Sequence, residues 1–306
     1  MLTFHTCDVF TDRAYAGNPL AIVLGADGLT PAQMQAIARE FNLSETIFVQ
    51  QPRSPGHTAR VRIFVPTAEI PFAGHPTIGC AIHLATAAAA PGDLETRIVL
   101  EGEAGLVPVR VWRRGRETGA EFVAPVLPHP VADAPDPAAA LDPARLAAAL
   151  GLDAGDIGFA SHGPGLWQGG PRFLYAPVAT LAALGRARPI QPVWTEQMQA
   201  AGVDSIYLYT PGPDCDYRAR MFSPTAGIPE DPATGSASAI LAAQLLAFGA
   251  LHEGETALTL RQGVEMGRPS DIRLTVAVQG GRLAEVRVGG SAVPISEGRI
   301  RVPDAR

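Results

Sequence analysis

Three side chains in this 306-residue sequence have the types and settings for proton chemistry. They are Glu45 in NLSETIF (42–48), His75 in IPFAGHPTIGCAIHL (70–84) and Asp231 in IPEDPATGSASAIL (228–241). A carboxylate bordered by Leu43 and Phe48 is partly desolvated, which brings proton uptake toward the working pH range. His75-Pro76 and Asp231-Pro232 each set a polar side chain before a proline expected to open a helix, and the free N–H groups of a helix start favour anions. Two such starts facing one cleft would hold a carboxylate substrate. The plain alternatives are a helix cap for Asp231, a loop or core histidine for His75, and a surface carboxylate at a strand edge for Glu45.

The surroundings of these residues are written twice. RIFVPTAEIP (62–71) and RMFSPTAGIP (220–229) agree in register at Arg, Phe, Pro, Thr, Ala, Ile and Pro. After a two-residue slip, HPTIG (75–79) lies over DPATG (231–235), which pairs His75 with Asp231. QMQA recurs at 33–36 and 197–200, and the same comparison sets Glu45 against Asp204. Similar scaffolds with unlike ionisable groups imply two halves serving one ligand.

The elements that must carry these residues follow from pattern. LTPAQMQAIARE (29–40) and WTEQMQAAG (194–202) read as helices, and ETIFVQ (45–50) and DSIYLYT (204–210) as strands. A strand, the turn and an Ala-rich helix follow in each half, the helices spanning about 76–90 and 234–248. Hairpins come next, 107–124 turning at RRGRE and 273–290 turning at QGG. The six prolines of 125–143 read as a linker that stays outside any sheet, with Asp142 and Gly151 as the caps of a short helix after it. SHGPGLWQGGPRFLY (161–175) reads as a loop entering a strand. These elements predict an α+β fold with two domains, 1–125 and 126–306, the last strand free to return to the first.

Composition removes several function classes. Net charge is −6 and all 24 basic residues are arginine, scattered along the chain, which argues against a nucleic-acid surface. Without lysine there is no Schiff base, no pyridoxal-phosphate attachment and no Walker-type phosphate loop. Cys7, Cys80 and Cys215 form neither a disulfide framework nor a zinc pattern, and the histidines lack ligand spacing, so no metal is expected. No apolar run is long enough for a bilayer and the N-terminus lacks a signal-peptide pattern, which predicts a cytoplasmic protein with no membrane partner.

DVFTDRAYAGNPLAIVL, FNLSETIFV, PFAGHPTIG and EDPATGSAS, in this order and spacing, resemble the phenazine-biosynthesis isomerase family (PhzF-like), which shares its fold with diaminopimelate epimerase and proline racemase. The resemblance runs through both halves and leaves 126–165 uncovered. It implies two pseudo-symmetric domains, each a mostly antiparallel sheet around a central helix, with the site in the cleft between them and a homodimer as the assembly. It places the catalytic glutamate on Glu45 and its assistants on His75, Asp231 and Ser236. Asn18, Gly74, Pro76, Thr234 and Gly235 are expected to line the substrate. The related racemases carry a cysteine at each turn; here the corresponding places hold Ala73 and Pro232, so a two-thiol mechanism is excluded on chemistry.

One carboxylate can lift a proton from one carbon of an unsaturated acid and deliver it to another on the same face. His75, Asp231 and Ser236 would orient the acid and stabilise the charge spreading over its conjugated system. Such an isomerisation needs no cofactor. A lyase acting on a similar acid and a non-catalytic small-molecule binder are the rival readings.

Overall fold

The computed structural model describes residues 1–304. Two compact units divide the chain, Met1–Pro125 with Val288–Arg306 and Val126–Arg287. Among the described residues no helix is long and apolar enough to cross a membrane.

In the first unit, strand Leu2–Val9 runs antiparallel to Asn18–Leu24, which lies parallel to Glu45–Gln50. A parallel pair needs a crossover, supplied by helix Pro31–Phe41. That helix starts where the sequence dictates: Thr30 and Gln33 form a reciprocal capping box and Pro31 fills the first turn. Its apolar stripe, Met34, Ile37 and Ala38, packs on Val23, Phe48 and Phe64. The rings of Phe48 and Phe64 meet edge to face at 5.4 Å, an arrangement that adds about 0.5–1.5 kcal/mol beyond burial. Ala59–Phe64 then pairs antiparallel with Glu45–Gln50 and parallel with Leu94–Gly102, from which the hairpin Gly105–Arg114, Glu117–Val123 continues.

Helix Gly74–Ala88 is the second crossover. It is buried along ten of its residues, from Gly74 to Ala85, which explains a sequence that is apolar and small on every side. It packs against six strands of this unit, among them Leu2–Val9, Asn18–Leu24 and Glu45–Gln50. Gly79 permits the approach: a Cβ there would stand 2.7 Å from both the Leu20 and the Val9 side chains.

The second unit repeats this order of pairings. Gly165–Gln168 is antiparallel to Arg172–Pro177, which is parallel to Ile206–Pro211. Tyr217–Ser223 follows antiparallel and is itself parallel to Gly254–Gln262, after helix Gly235–Ala247. The hairpin Ser270–Gln279, Arg282–Ile300 closes the series, its final strand passing into the first unit to pair with Leu2–Val9. The core is built on Trp194, Met198, Leu174, Leu208 and Phe222.

Several expectations need correction. The stretch 125–143 is not wholly outside the sheet: His129–Pro130 pairs with Gln168 and Trp167, and Pro137–Ala140 is a helical turn. Proline tolerates this because the pairing is two residues long and its partner Gly165–Gln168 is a short strand. Glycine-rich 161–175 is a hairpin rather than a loop entering one strand. The prolines do not open the helices. Pro76 is the third residue of Gly74–Ala88, and Pro232 precedes Gly235 by three.

The register between the halves also changes. Phe64 and Phe222 are equivalent by their ladders, 158 positions apart, since Phe64 faces Thr46 and Phe222 faces Ile206. Thr46 therefore matches Ile206, and Glu45 matches Ser205, not Asp204. Beyond the strand the separation is 161, because the second turn is three residues longer. Ile63 pairs with Ile70 and Met221 with Asp231, and the helices begin at Gly74 and Gly235. An ion pair marks the same register: Arg62 grips Glu69 and Arg220 grips Glu230, each through two bonds of 2.5–2.9 Å. His75 thus corresponds to Ser236 and Asp231 to Ile70. The positions compared with the racemase cysteines are Ala73 and Thr234, not Pro232, and neither bears a thiol.

Candidate active site

Glu45 is the first residue of its strand, paired across to Leu20, with its side chain 12% exposed. His75 is the second residue of helix Gly74–Ala88 and its side chain is 3% exposed. The parallel crossover sets the strand start beside the helix start, and His75 Nδ1 comes within 3.4 Å of Glu45 Oε2. Burial drives the His75 pKa down to about 3, with a contact to the Pro19 carbonyl pulling weakly the other way. The imidazole is therefore neutral at pH 7 and the contact is not an ion pair. Its Nε2 is buried with no hydrogen-bond partner among the described residues. Leaving such a group unsatisfied costs about 1–3 kcal/mol, and a ligand that bonds to it would recover that cost. Asn18 is wholly buried at the head of its strand, next to Pro19, so Asn18, Glu45, Gly74, His75 and Pro76 come together in the first unit.

Asp231, Thr234, Gly235 and Ser236 come together in the second. Asp231 ends strand Ile228–Asp231 and is buried. It is not the helix N-cap; Thr234 is, and it makes no side-chain cap because its hydroxyl donates to Asp231 Oδ2 at 2.5 Å. Gln262 fixes this turn from the neighbouring strand. Its amide donates to the Asp231 carbonyl at 2.7 Å and to Thr234 Oγ1 at 3.0 Å, and its Oε1 accepts from the Thr234 N–H at 3.2 Å. The carboxylate is thereby held against an oriented hydroxyl partner. Ser236 is half-buried at the second helical position, in a stretch from 231 to 240 where every other residue is buried. Ala73 likewise makes no cap bond, so neither helix is capped by the side chain of its own N-cap residue.

Sequence reasoning did not single out Gln262. Its signal is a polar residue closing the alternating strand GETALTLRQ, wholly buried in the structure. The thiols take no visible part. Burial pushes the Cys80 thiol up to about 12 and Cys7 higher still, so both stay protonated. Two cavities of the first unit, about 260 and 470 Å³, lie elsewhere and are lined by neither Glu45 nor His75. The candidate rests on side-chain chemistry, not on a concavity.

Residues 7–298 match the family model for phenazine biosynthesis-like proteins. The chain belongs to that family. It is 44% identical to an uncharacterized isomerase of Mesorhizobium japonicum over 96% of each chain. It is 35% identical to the trans-2,3-dihydro-3-hydroxyanthranilate isomerase of Pseudomonas aeruginosa, covering 98% of this chain and 99% of that one. Among solved structures, the phenazine biosynthesis protein of the PhzF family from Bacillus anthracis superposes with a TM-score of 0.84 at 27% identity, over 98% of this chain and 99% of that one. A probable proline racemase from Agrobacterium radiobacter shares the fold, with a TM-score of 0.63 at 15% identity over 99% and 94%. This family member is an enzyme of the isomerase kind, with a racemase-like fold.

Proposed function

We propose that this chain is a cofactor-independent isomerase that moves a proton within a small unsaturated carboxylic acid, with Glu45 as the carrier. The observation that supports this most is the shielded contact between Glu45 and a neutral His75. A charged histidine at that distance would hold Glu45 ionised and make it a poor proton acceptor. A neutral imidazole at 3.4 Å leaves the carboxylate's proton affinity unsuppressed, which suits a group that must take a proton and give it back. The absence of lysine removes the Schiff-base route to the same carbanion.

In this reading each unit wraps its sheet around a central helix and supplies polar groups to the reaction. Asp231 and Ser236 assist Glu45 and His75, polarising the conjugated acid as charge spreads over it. Asn18, Gly74, Pro76, Thr234 and Gly235 line the pocket, and the substrate carboxylate sits at a helix start. The working form is a cytoplasmic homodimer with no metal.

The test is to incubate the protein with trans-2,3-dihydro-3-hydroxyanthranilate, the acid named for the relatives, and with simpler unsaturated acids, following products by NMR and mass. The expected product has the substrate's mass and a displaced double bond. Release of water or ammonia would make the enzyme a lyase, and binding without turnover of any acid would make it a binder.

A further inference from the structure

The duplication supplies an internal control for a cavity that the proposed chemistry does not use. A cavity of about 470 Å³, within the size range of small-molecule sites, is lined by Arg53, Arg60, Arg62, Glu69, Glu101 and Glu103. Most of its charges are already engaged. Glu69 is held bidentate by Arg62. Glu101 accepts from the backbone N–H groups of Arg53 and Ser54 and contacts His57 Nδ1 at 2.6 Å, which holds its pKa down to about 2. That leaves the Arg53 and Arg60 guanidiniums and the Glu103 carboxylate without a hydrogen-bonded ion partner among the described residues.

The second unit shows what the same framework looks like when closed. Arg60 and Arg62 lie on one face of their strand, and their equivalents are Arg218 and Arg220. Arg220 holds Glu230, and Arg218 is neutralised by Glu265 at 3.0 Å. Glu265 arrives on the loop 263–269, between strands Gly254–Gln262 and Ser270–Gln279. In the first unit the same connection is only residues 103–104, between Leu94–Gly102 and Gly105–Arg114. That short turn brings Glu103 into the same lining, but no ion pair joins it to Arg60 among the described residues, and half-buried Arg60 lines the cavity. Arg60 pairs with Gln50, five residues along the strand from Glu45, about 17 Å away at ~3.3 Å per residue.

We infer that this cavity is a second ligand site, separate from the candidate active site, which binds a doubly charged oxyanion of the phosphate type between Arg60 and Arg53. Arginine suits such a group because its planar fork meets two oxygens at once. The source is either free phosphate or the phosphoryl group of a small metabolite, and the volume admits both.

Calorimetric titration at low ionic strength tests it, with inorganic phosphate, glycerol 3-phosphate and acetate as probes. Phosphate should bind the wild type, and acetate, with one charge, more weakly. Arg60→Gln should weaken phosphate binding about ten- to hundredfold. Glu103→Gln, which removes a negative charge from the lining, should strengthen it. Arg60 has no partner to lose, so its variant should keep the fold and phosphate-free turnover. Tighter binding of glycerol 3-phosphate than of phosphate assigns the site to a metabolite, and the reverse order to the free ion. Absence of phosphate binding, acetate binding as tightly as phosphate, or unchanged affinity in Arg60→Gln would overturn the inference.

Discussion

The two turns that precede the buried helices share a plan and differ in what they present. Each begins with an arginine gripping a glutamate, passes through a proline and enters its helix at a glycine: Arg62, Glu69, Pro71 and Gly74 in one, Arg220, Glu230, Pro232 and Gly235 in the other. At the three polar positions the halves diverge. Glu45 stands against Ser205, His75 against Ser236, and Ile70 against Asp231. The first turn keeps its histidine neutral by burial and leaves Nε2 unsatisfied. The second satisfies its polar groups internally, through Thr234 and Gln262. Such a difference teaches that the shared scaffold is for placement, while the group able to carry a proton beside a neutral partner occurs in one half.

Changing the acid of the second turn should have the largest effect on this comparison. Asp231→Asn keeps the shape and the Thr234 contact while removing the charge. If Asp231 polarises the substrate, kcat/KM on any acid the enzyme turns over should fall by about a hundredfold, the scale of losing one preorganised electrostatic group. Near-neutral kinetics with a lowered melting temperature would instead make Asp231 a structural brace.

Replacing the histidine should have a smaller effect, on stability. The folded pKa of His75 is about 3, below the ~6.5 of an unfolded histidine. Above ~6.5 neither state is protonated and the residue contributes no pH dependence. Below it the unfolded chain takes up a proton that the native site refuses, so stability falls by ~1.4 kcal/mol per pH unit until the folded pKa is reached. Urea titrations between pH 7 and 4 should show that slope in the wild type and a shallower one in His75→Gln. His83, also pushed down to about 4, leaves a residual slope in both. Equal slopes would mean that His75 is not buried as described.

Much of the local structure was legible in the chain itself. The caps Asp142 and Gly151 and the turn Gly280-Gly281 stand where their chemistry requires. The register of the repeat was not, because two matching Pro-x-x-Gly-like strings at 76–79 and 232–235 suggested a two-residue slip. The true insertion is three residues. It became visible only through long-range partners: the ladders from Thr46 and Ile206, and the glutamates on Arg62 and Arg220. Gln262 was hidden for a similar reason, since its value lies in three bonds to a turn 28 to 31 residues away. The thiol argument survived the shift in register, since Thr234 lacks a thiol just as Pro232 does.

The central claim, that Glu45 alone carries the proton, is tested most directly by turnover in heavy water. Wild-type enzyme should place deuterium at the one carbon that gains a proton, to the extent that the Glu45 proton exchanges before delivery. Asp231→Asn should label the same carbon more slowly. Glu45→Gln, folded and still binding the acid, should form product at least about 10²-fold more slowly. Labelled product from Glu45→Gln at a rate near that of the wild type would contradict the account.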